Sequence, residues 1–171
     1  MITVRSAVKI RIGTAFAFRN EIPDVGVLIF MNLPITGGCV CGAIRYESSA
    51  EPVMMLKCHC RDCQHITGSG FVPAVVFQAE SFRLTKGELS YHFTPSLAGG
   101  MHKRGYCAQC GSRLTGAERQ GQPSRVVGVL AGSLDDPSLF RPQMDIFTTD
   151  AQSWDQMDPR IPKHEQYPPG K

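Results

Sequence analysis

The chain has 171 residues, 42% of them hydrophobic and 19% charged, with a formal net charge of +3. That length builds one domain with a core of its own, and the composition excludes a disordered or collagen-like chain. The mild positive charge admits anionic small molecules without arguing for nucleic acid, and no apolar run approaches the roughly 20 residues of a membrane span.

Residues 1–32 read as a leader, expected to be poorly ordered. Arg5, Lys9, Arg11 and Arg19 all precede the first acid, Glu21, a composition resembling an organellar transit peptide. Met31 offers a second possible start, with "MNLPITGGCVCG" directly after it, so the plainer expectation is a leader upstream of the domain. "TAFAF" is too short, and too soon cut by Arg19, to serve as a secretory signal. The domain proper is expected over 33–165, with 166–171 as a tail.

After Met31 the pattern is one of strands and turns. In "AIRYES", Ile44 and Tyr46 alternate with Arg45 and Glu47. "FVPAVVF" (71–77) suits a buried strand, although Pro73 should push it toward a sheet edge or a bulge. "SFRL", "ELSYHF" and "RVVGVLAG" are further strands, separated by turns at Lys86-Gly87 and Gly121-Gln122-Pro123. One short helix is expected, from near Arg61 to Gly68, where glycine can cap it. The last stretch, "WDQMDPRIPKHEQYPPGK", reads as extended chain lying over the domain.

Seven cysteines fall into Cys39-x-Cys41, Cys58-x-Cys60-x-x-Cys63 and Cys107-x-x-Cys110. An odd count and C-x-C pairs suit disulfides badly. Reduced, metal-bound thiols in a cytoplasmic setting fit better. The knuckles Cys39-Val40-Cys41-Gly42 and Cys107-Ala108-Gln109-Cys110-Gly111 together supply four ligands, a complete structural zinc site. Cys58, Cys60 and Cys63 then remain, and three protein ligands with an open position is the pattern of a catalytic zinc. Other partitions stay open, such as Cys58 and Cys60 with Cys39 and Cys41, or an iron–sulfur cluster on the three. Histidine is the remaining alternative as a fourth ligand. His59 lies between two ligands and points away in extended chain. His65 lies about 200° around the helix from Cys63. His92, His102 and His164 stay possible.

"GGCVCGAIRY" (37–46), "CHCRDCQHITGSGF" (58–71) and "GYCAQCGSRL" (105–114) resemble the three signature segments of the glutathione-dependent formaldehyde-activating enzymes. The broader family includes centromere protein V. The resemblance runs through "GSLDDPSLFRP" (132–142) and 154–162, covering roughly 35 to 165, with all seven cysteines in matching order and spacing. It implies an all-β, zinc-binding β-tent fold with one short helix at the cysteine cluster, and two zinc ions per chain. By match of motif, Cys39, Cys41, Cys107 and Cys110 would hold the structural zinc, and Cys58, Cys60 and Cys63 the catalytic one. One departure concerns the segment after the "LDDP" turn, where many members carry histidine and this chain has "RPQMDIF" with Met144.

The implied activity is that of a carbon–sulfur lyase acting on a thiol adduct such as S-(hydroxymethyl)glutathione, with glutathione and formaldehyde as small-molecule partners. A zinc held by three thiolates has a net charge of −1, is a soft Lewis acid, and takes a fourth sulfur readily. Lys57, Arg61, Arg45, Lys103 and Arg104 flank the cysteine segments and are candidates to receive glutathione's carboxylates. The competing reading is a non-catalytic zinc module that binds a protein or small ligand. It gains from the fact that metal accounts for every cysteine, leaving no free nucleophilic thiol.

Overall fold

The computed structural model describes residues 31–96, 100–121 and 123–168. Residues 1–30 of the expected leader and the last three residues of the expected tail lie outside that set. Within it the chain is all-β apart from one α-helix and short 3-10 turns. No helix among the described residues is long and apolar enough to cross a membrane.

β1 (Ile35–Gly38) and β2 (Arg45–Ser48) are antiparallel, and β2 pairs in turn with β5 (Phe82–Lys86) to make a three-stranded sheet. The expected alternation in β2 is present: Ile44, Tyr46 and Ser48 are buried, while Arg45 and Glu47 reach the surface.

The second sheet comprises β3 (Met54–Cys58), β4 (Val72–Gln78), β6 (Ser90–Pro95), β7 (Met101–Tyr106), β8 (Arg113–Arg119), β9 (Val126–Leu130), β10 (Met144–Ile146) and β11 (Lys163–His164). Its spatial order is β11-β10-β3-β4-β9-β8-β7-β6. β10 runs parallel to both its neighbours.

Pro73 does not send its strand to an edge: β4 lies inside the sheet, between β3 and β9. The reason lies in which way the backbone points. The Val76 carbonyl accepts from Val53 on the β3 side, and the Ala79 N–H donates to Arg125 on the β9 side. Odd-numbered residues of β4 therefore aim at β9, whose pairing stops at Ala74. The N–H that Pro73 lacks would point past the end of that strand, so no ladder bond is lost.

The main core lies where the two sheets meet. Ile35, Ile44 and Tyr46 of the smaller sheet pack with Val75, Phe77, Leu114 and Val129 of the larger one. The Tyr46 hydroxyl, too deep for water, is satisfied by Ser133 Oγ at 2.7 Å. A smaller cluster of Leu56, Ile146 and Phe147 forms separately. The helix α1 (Arg61–Thr67) matches the expected span and ends at Gly68, whose N–H bonds the Gln64 carbonyl. Phe77 is fully buried, so Phe77→Ala is expected to cost about 3–5 kcal/mol. Denaturant unfolding, read as a shift in midpoint, checks this.

Candidate metal centres

Two tight turns build the first group of thiols. Gly42 (φ 71°) and Gly111 (φ 73°) take left-handed conformations, which would cost another residue about 1–2 kcal/mol each. Their N–H groups donate back to the carbonyls of Cys39 and Cys107. Each turn thus folds a cysteine pair inward. The sulfurs of Cys39, Cys41, Cys107 and Cys110 all lie within 4.8 Å of one another. Cys41 Sγ is 3.4 Å from Cys39 Sγ and 3.8 Å from Cys107 Sγ. A tetrahedral site with metal–sulfur bonds near 2.3 Å needs a sulfur–sulfur edge of about 3.8 Å, so the set fits such an ion.

Polar hydrogens support these sulfurs. The Ile44 N–H donates to Cys39 Sγ at 3.2 Å, and the Ser112 hydroxyl and N–H draw the Cys110 thiol down to about 6. The Val40 N–H donates to Ser112 Oγ, tying one turn to the other.

The second group forms where β3 runs into α1. Cys58 closes the strand, Cys60 is the N-cap residue of the helix, and Cys63 sits in its first turn, its N–H donating to Cys60 Sγ. These three sulfurs also lie within 4.8 Å of one another, and among the described residues no histidine, aspartate or glutamate joins them. Their electrostatics follow from crowding. The neighbouring Cys58 and Cys63 thiols draw Cys60 down to about 2, helped by the charge of Arg104. Contact with Cys60 pushes Cys58 up to about 12, and Cys63 is pushed up further still by both. Like charges this close oppose one another, and a divalent cation among the three sulfurs would favour their ionised forms.

His59 is the brace of this arrangement. Fully buried, its ring lies between two carboxylates: Nδ1 is 2.7 Å from Asp155 Oδ2 and Nε2 is 3.0 Å from Asp145 Oδ1. Lys57 and Lys163 each approach Asp145 at 3.2 Å. The ring therefore points away from the thiols, as expected. His65 is exposed beside Arg61, and His92 lies against Arg113.

The three-cysteine group opens on a cavity of about 530 Å³, whereas none of Cys39, Cys41, Cys107 and Cys110 lines it. Of the five flanking cations, Arg61 and Arg104 reach this cavity. Lys57 is committed to Asp145, Arg45 to Asp135, and Lys103 to Glu118. Arg104 is itself paired with Asp62 and donates to Thr94 Oγ1, tying α1 to the sheet.

Two functional candidates escaped notice in the sequence. Arg113 lines the cavity, and among the described residues it pairs with no carboxylate; its guanidinium rests on His92 and over the Tyr106 ring. Its position inside the third cysteine segment was the available signal. Tyr167, from the expected tail, packs edge-on to Phe147 at 4.8 Å between ring centres and also lines the cavity. Prolines around it hide any signal. Two non-glycine residues hold a left-handed backbone among the described residues, Ala117 (φ 69°) and Phe147 (φ 57°), and both line this cavity. Such strain concentrates at working sites.

A mostly β domain with one helix and two cysteine groups able to hold metal defines the class. The chain belongs to the glutathione-dependent formaldehyde-activating enzyme family, whose model matches residues 34–150. A solved Rhodobacter sphaeroides protein is similar in structure, with a TM-score of 0.48 and 19% identity over 75% of this chain and 99% of that one. No curated protein sequence matches the chain.

The brace carries a pH signature. Burial pushes the Asp145 carboxyl up, but His59, Lys57 and Lys163 pull it down further, leaving it below its ordinary value of 3.8. A carboxyl depressed on folding contributes its full stability above the unfolded value and loses it as pH falls through the folded one. Stability is expected to drop below about pH 4, followed by circular dichroism during acid titration, and Asp145→Asn to blunt the drop. His59→Ala, which strips a buried partner from two carboxylates, is expected to cost about 3 kcal/mol.

Proposed function

We propose that the chain is a zinc-dependent carbon–sulfur lyase-type enzyme that joins a glutathione-like thiol to formaldehyde and splits the adduct in reverse. The observation carrying this is that the three-thiol group opens on the cavity while the four-thiol group does not. In this reading Cys39, Cys41, Cys107 and Cys110 hold a structural zinc, and Cys58, Cys60 and Cys63 hold a second one. Bound there, the second zinc supplies an open, soft Lewis-acidic position that favours a thiolate.

The chain's own residues do the rest. Arg113, with Arg61 and Arg104 nearby in the lining, receives the carboxylates of the thiol. Holding thiol and aldehyde together replaces a bimolecular encounter with a positioned one. The sulfur adds to the carbonyl carbon, the carbon–oxygen double bond opens, and the thiol's proton ends on that oxygen. Nothing is oxidised. His102 is the candidate carrier of this proton: it lines the cavity, its buried Nδ1 has no partner among the described residues, and burial pushes its pKa down. Seven unbridged thiols suit a reducing compartment such as the cytoplasm.

Metal analysis is expected to find two zinc ions per chain, falling to one in Cys60→Ala with the fold retained. Unfolding with loss of both ions would make the second site structural. Exchange spectroscopy by NMR on glutathione mixed with formaldehyde is expected to show faster exchange with protein than with buffer. No acceleration removes the formaldehyde assignment, though not the open zinc site. Arg113→Met is expected to raise the KM for glutathione roughly tenfold with a smaller change in kcat, the loss of one charge-assisted contact.

A further inference from the structure

Formaldehyde is a single polar carbon, and the wall beside the three thiols is not built for it. The register of the eight-stranded sheet sets out what that wall is. Cys58 stands beside Ile146 of β10. Two residues back along β3 the same face carries Leu56, level with Ala74 and Leu130 on the next strands. One row further, Val76 stands level with Gly128 and then Gly116. Rows on one face of a strand are about 7 Å apart, so a chain bonded to a sulfur at the thiols and lying along the sheet meets the aliphatic side chains of Leu56, Ala74, Leu130 and Val76 before it reaches the Arg104 guanidinium near Gly116. All of these residues line the cavity together with the three cysteines.

At the far end of this face Gly116 and Gly128 contribute no side chain. A Cβ added at Gly116 would meet only Arg104 Nη1, at 3.6 Å, and its backbone is not left-handed. The fold therefore does not require glycine at this position for its own packing. The absent side chain leaves room above the row that starts at Val76. The body of a glutathione-like thiol is polar and anionic, and the arginines of the cavity answer it. The aliphatic rows answer something else.

We propose that the cavity takes thiol adducts of aldehydes that carry an apolar chain or ring, with the apolar part lying along Leu56, Ala74, Val76 and Leu130. The proposal rests on the thiol–aldehyde reading and names its carbonyl partner. The chemistry balances as for formaldehyde: the carbon–sulfur bond forms, the carbonyl double bond opens, and the thiol proton ends on the carbonyl oxygen.

The test is calorimetric binding of S-methylglutathione and S-hexylglutathione, stable mimics of a short and a long adduct, to the full-length, metal-loaded chain. Each buried methylene adds about fourfold in affinity, so five that are even partly buried give a ratio of about tenfold or more. Gly116→Val, which adds a side chain at the far end, is expected to reduce that ratio. Methyl NMR of the unaltered protein is expected to show Leu56, Val76 and Leu130 shifting with the hexyl ligand and staying still with the methyl one. That readout holds even if the variant fails to fold. A ratio below tenfold with both ligands bound overturns the proposal and leaves the thiol reading standing. A high ratio without those methyl shifts, or one that Gly116→Val leaves unchanged in a folded protein, overturns the assignment to this face. Binding of neither ligand sinks the thiol reading, and the proposal with it.

Discussion

The arrangement depends on one buried ring. In extended chain, neighbouring side chains take opposite sides, so fixing residue 59 fixes residues 58 and 60 the other way. His59 is clamped between Asp145 and Asp155, and its N–H bonds the Ile146 carbonyl. Cys58 and Cys60 are thereby aimed at Cys63 on the first turn of α1. The clamp also draws together distant stretches of chain, since Asp145 lies on β10 and Asp155 in the segment that follows. Placing charge in a fully buried position is costly unless it is matched. Lys57 and Lys163 on Asp145 provide that match. The same ionic knot therefore organises the thiols and holds the end of the domain against them.

The two cysteine groups look alike in sequence and differ in what surrounds them. The four-thiol group is satisfied by its own ligands: two turns supply two sulfurs each, and nothing else is needed to complete a tetrahedron. Among the described residues, no histidine or carboxylate completes the three-thiol group. His59 and His65 are held elsewhere, and His92 is occupied by Arg113. Three of the competing histidines are thus held by other contacts, while His102 lines the cavity without joining the thiols.

What was legible in the sequence follows the range of the interactions involved. Local signals carried the helix from Arg61 to Gly68, the two glycine turns, and the alternation through Ile44 and Tyr46. Strand β4 was legible as a strand but not in its place, because the harmlessness of Pro73 depends on where β9 ends. Strands β3, β7 and β8 were not among the expected strands. Their sequences, "MMLKC", "MHKRGY" and "RLTGAER", carry charge or glycine where a simple apolar alternation would be sought. In the folded chain those charges have destinations: Lys57 on Asp145, Arg104 on Asp62, Lys103 on Glu118. Such pairings join residues far apart in the chain, and periodicity does not register them. The same blindness hid Arg113 and Tyr167.

Both faces of the large sheet are apolar, but for different purposes. Val75 and Phe77 face the smaller sheet and are sealed in the core, where their burial stabilises the fold. Ala74 and Val76, one residue off, line the cavity. A single-residue shift in register would exchange the two sets, so the pairing of β4 with β3 and β9 decides both the core and the cavity. The strained backbones at Ala117 and Phe147 lie on the cavity side as well. Relaxing them would stabilise the chain locally, and yet the surrounding packing holds them, with Tyr167 seated on Phe147. An apolar surface left open and a backbone held under strain both work against stability. The two coincide around the cavity on which the three thiols open.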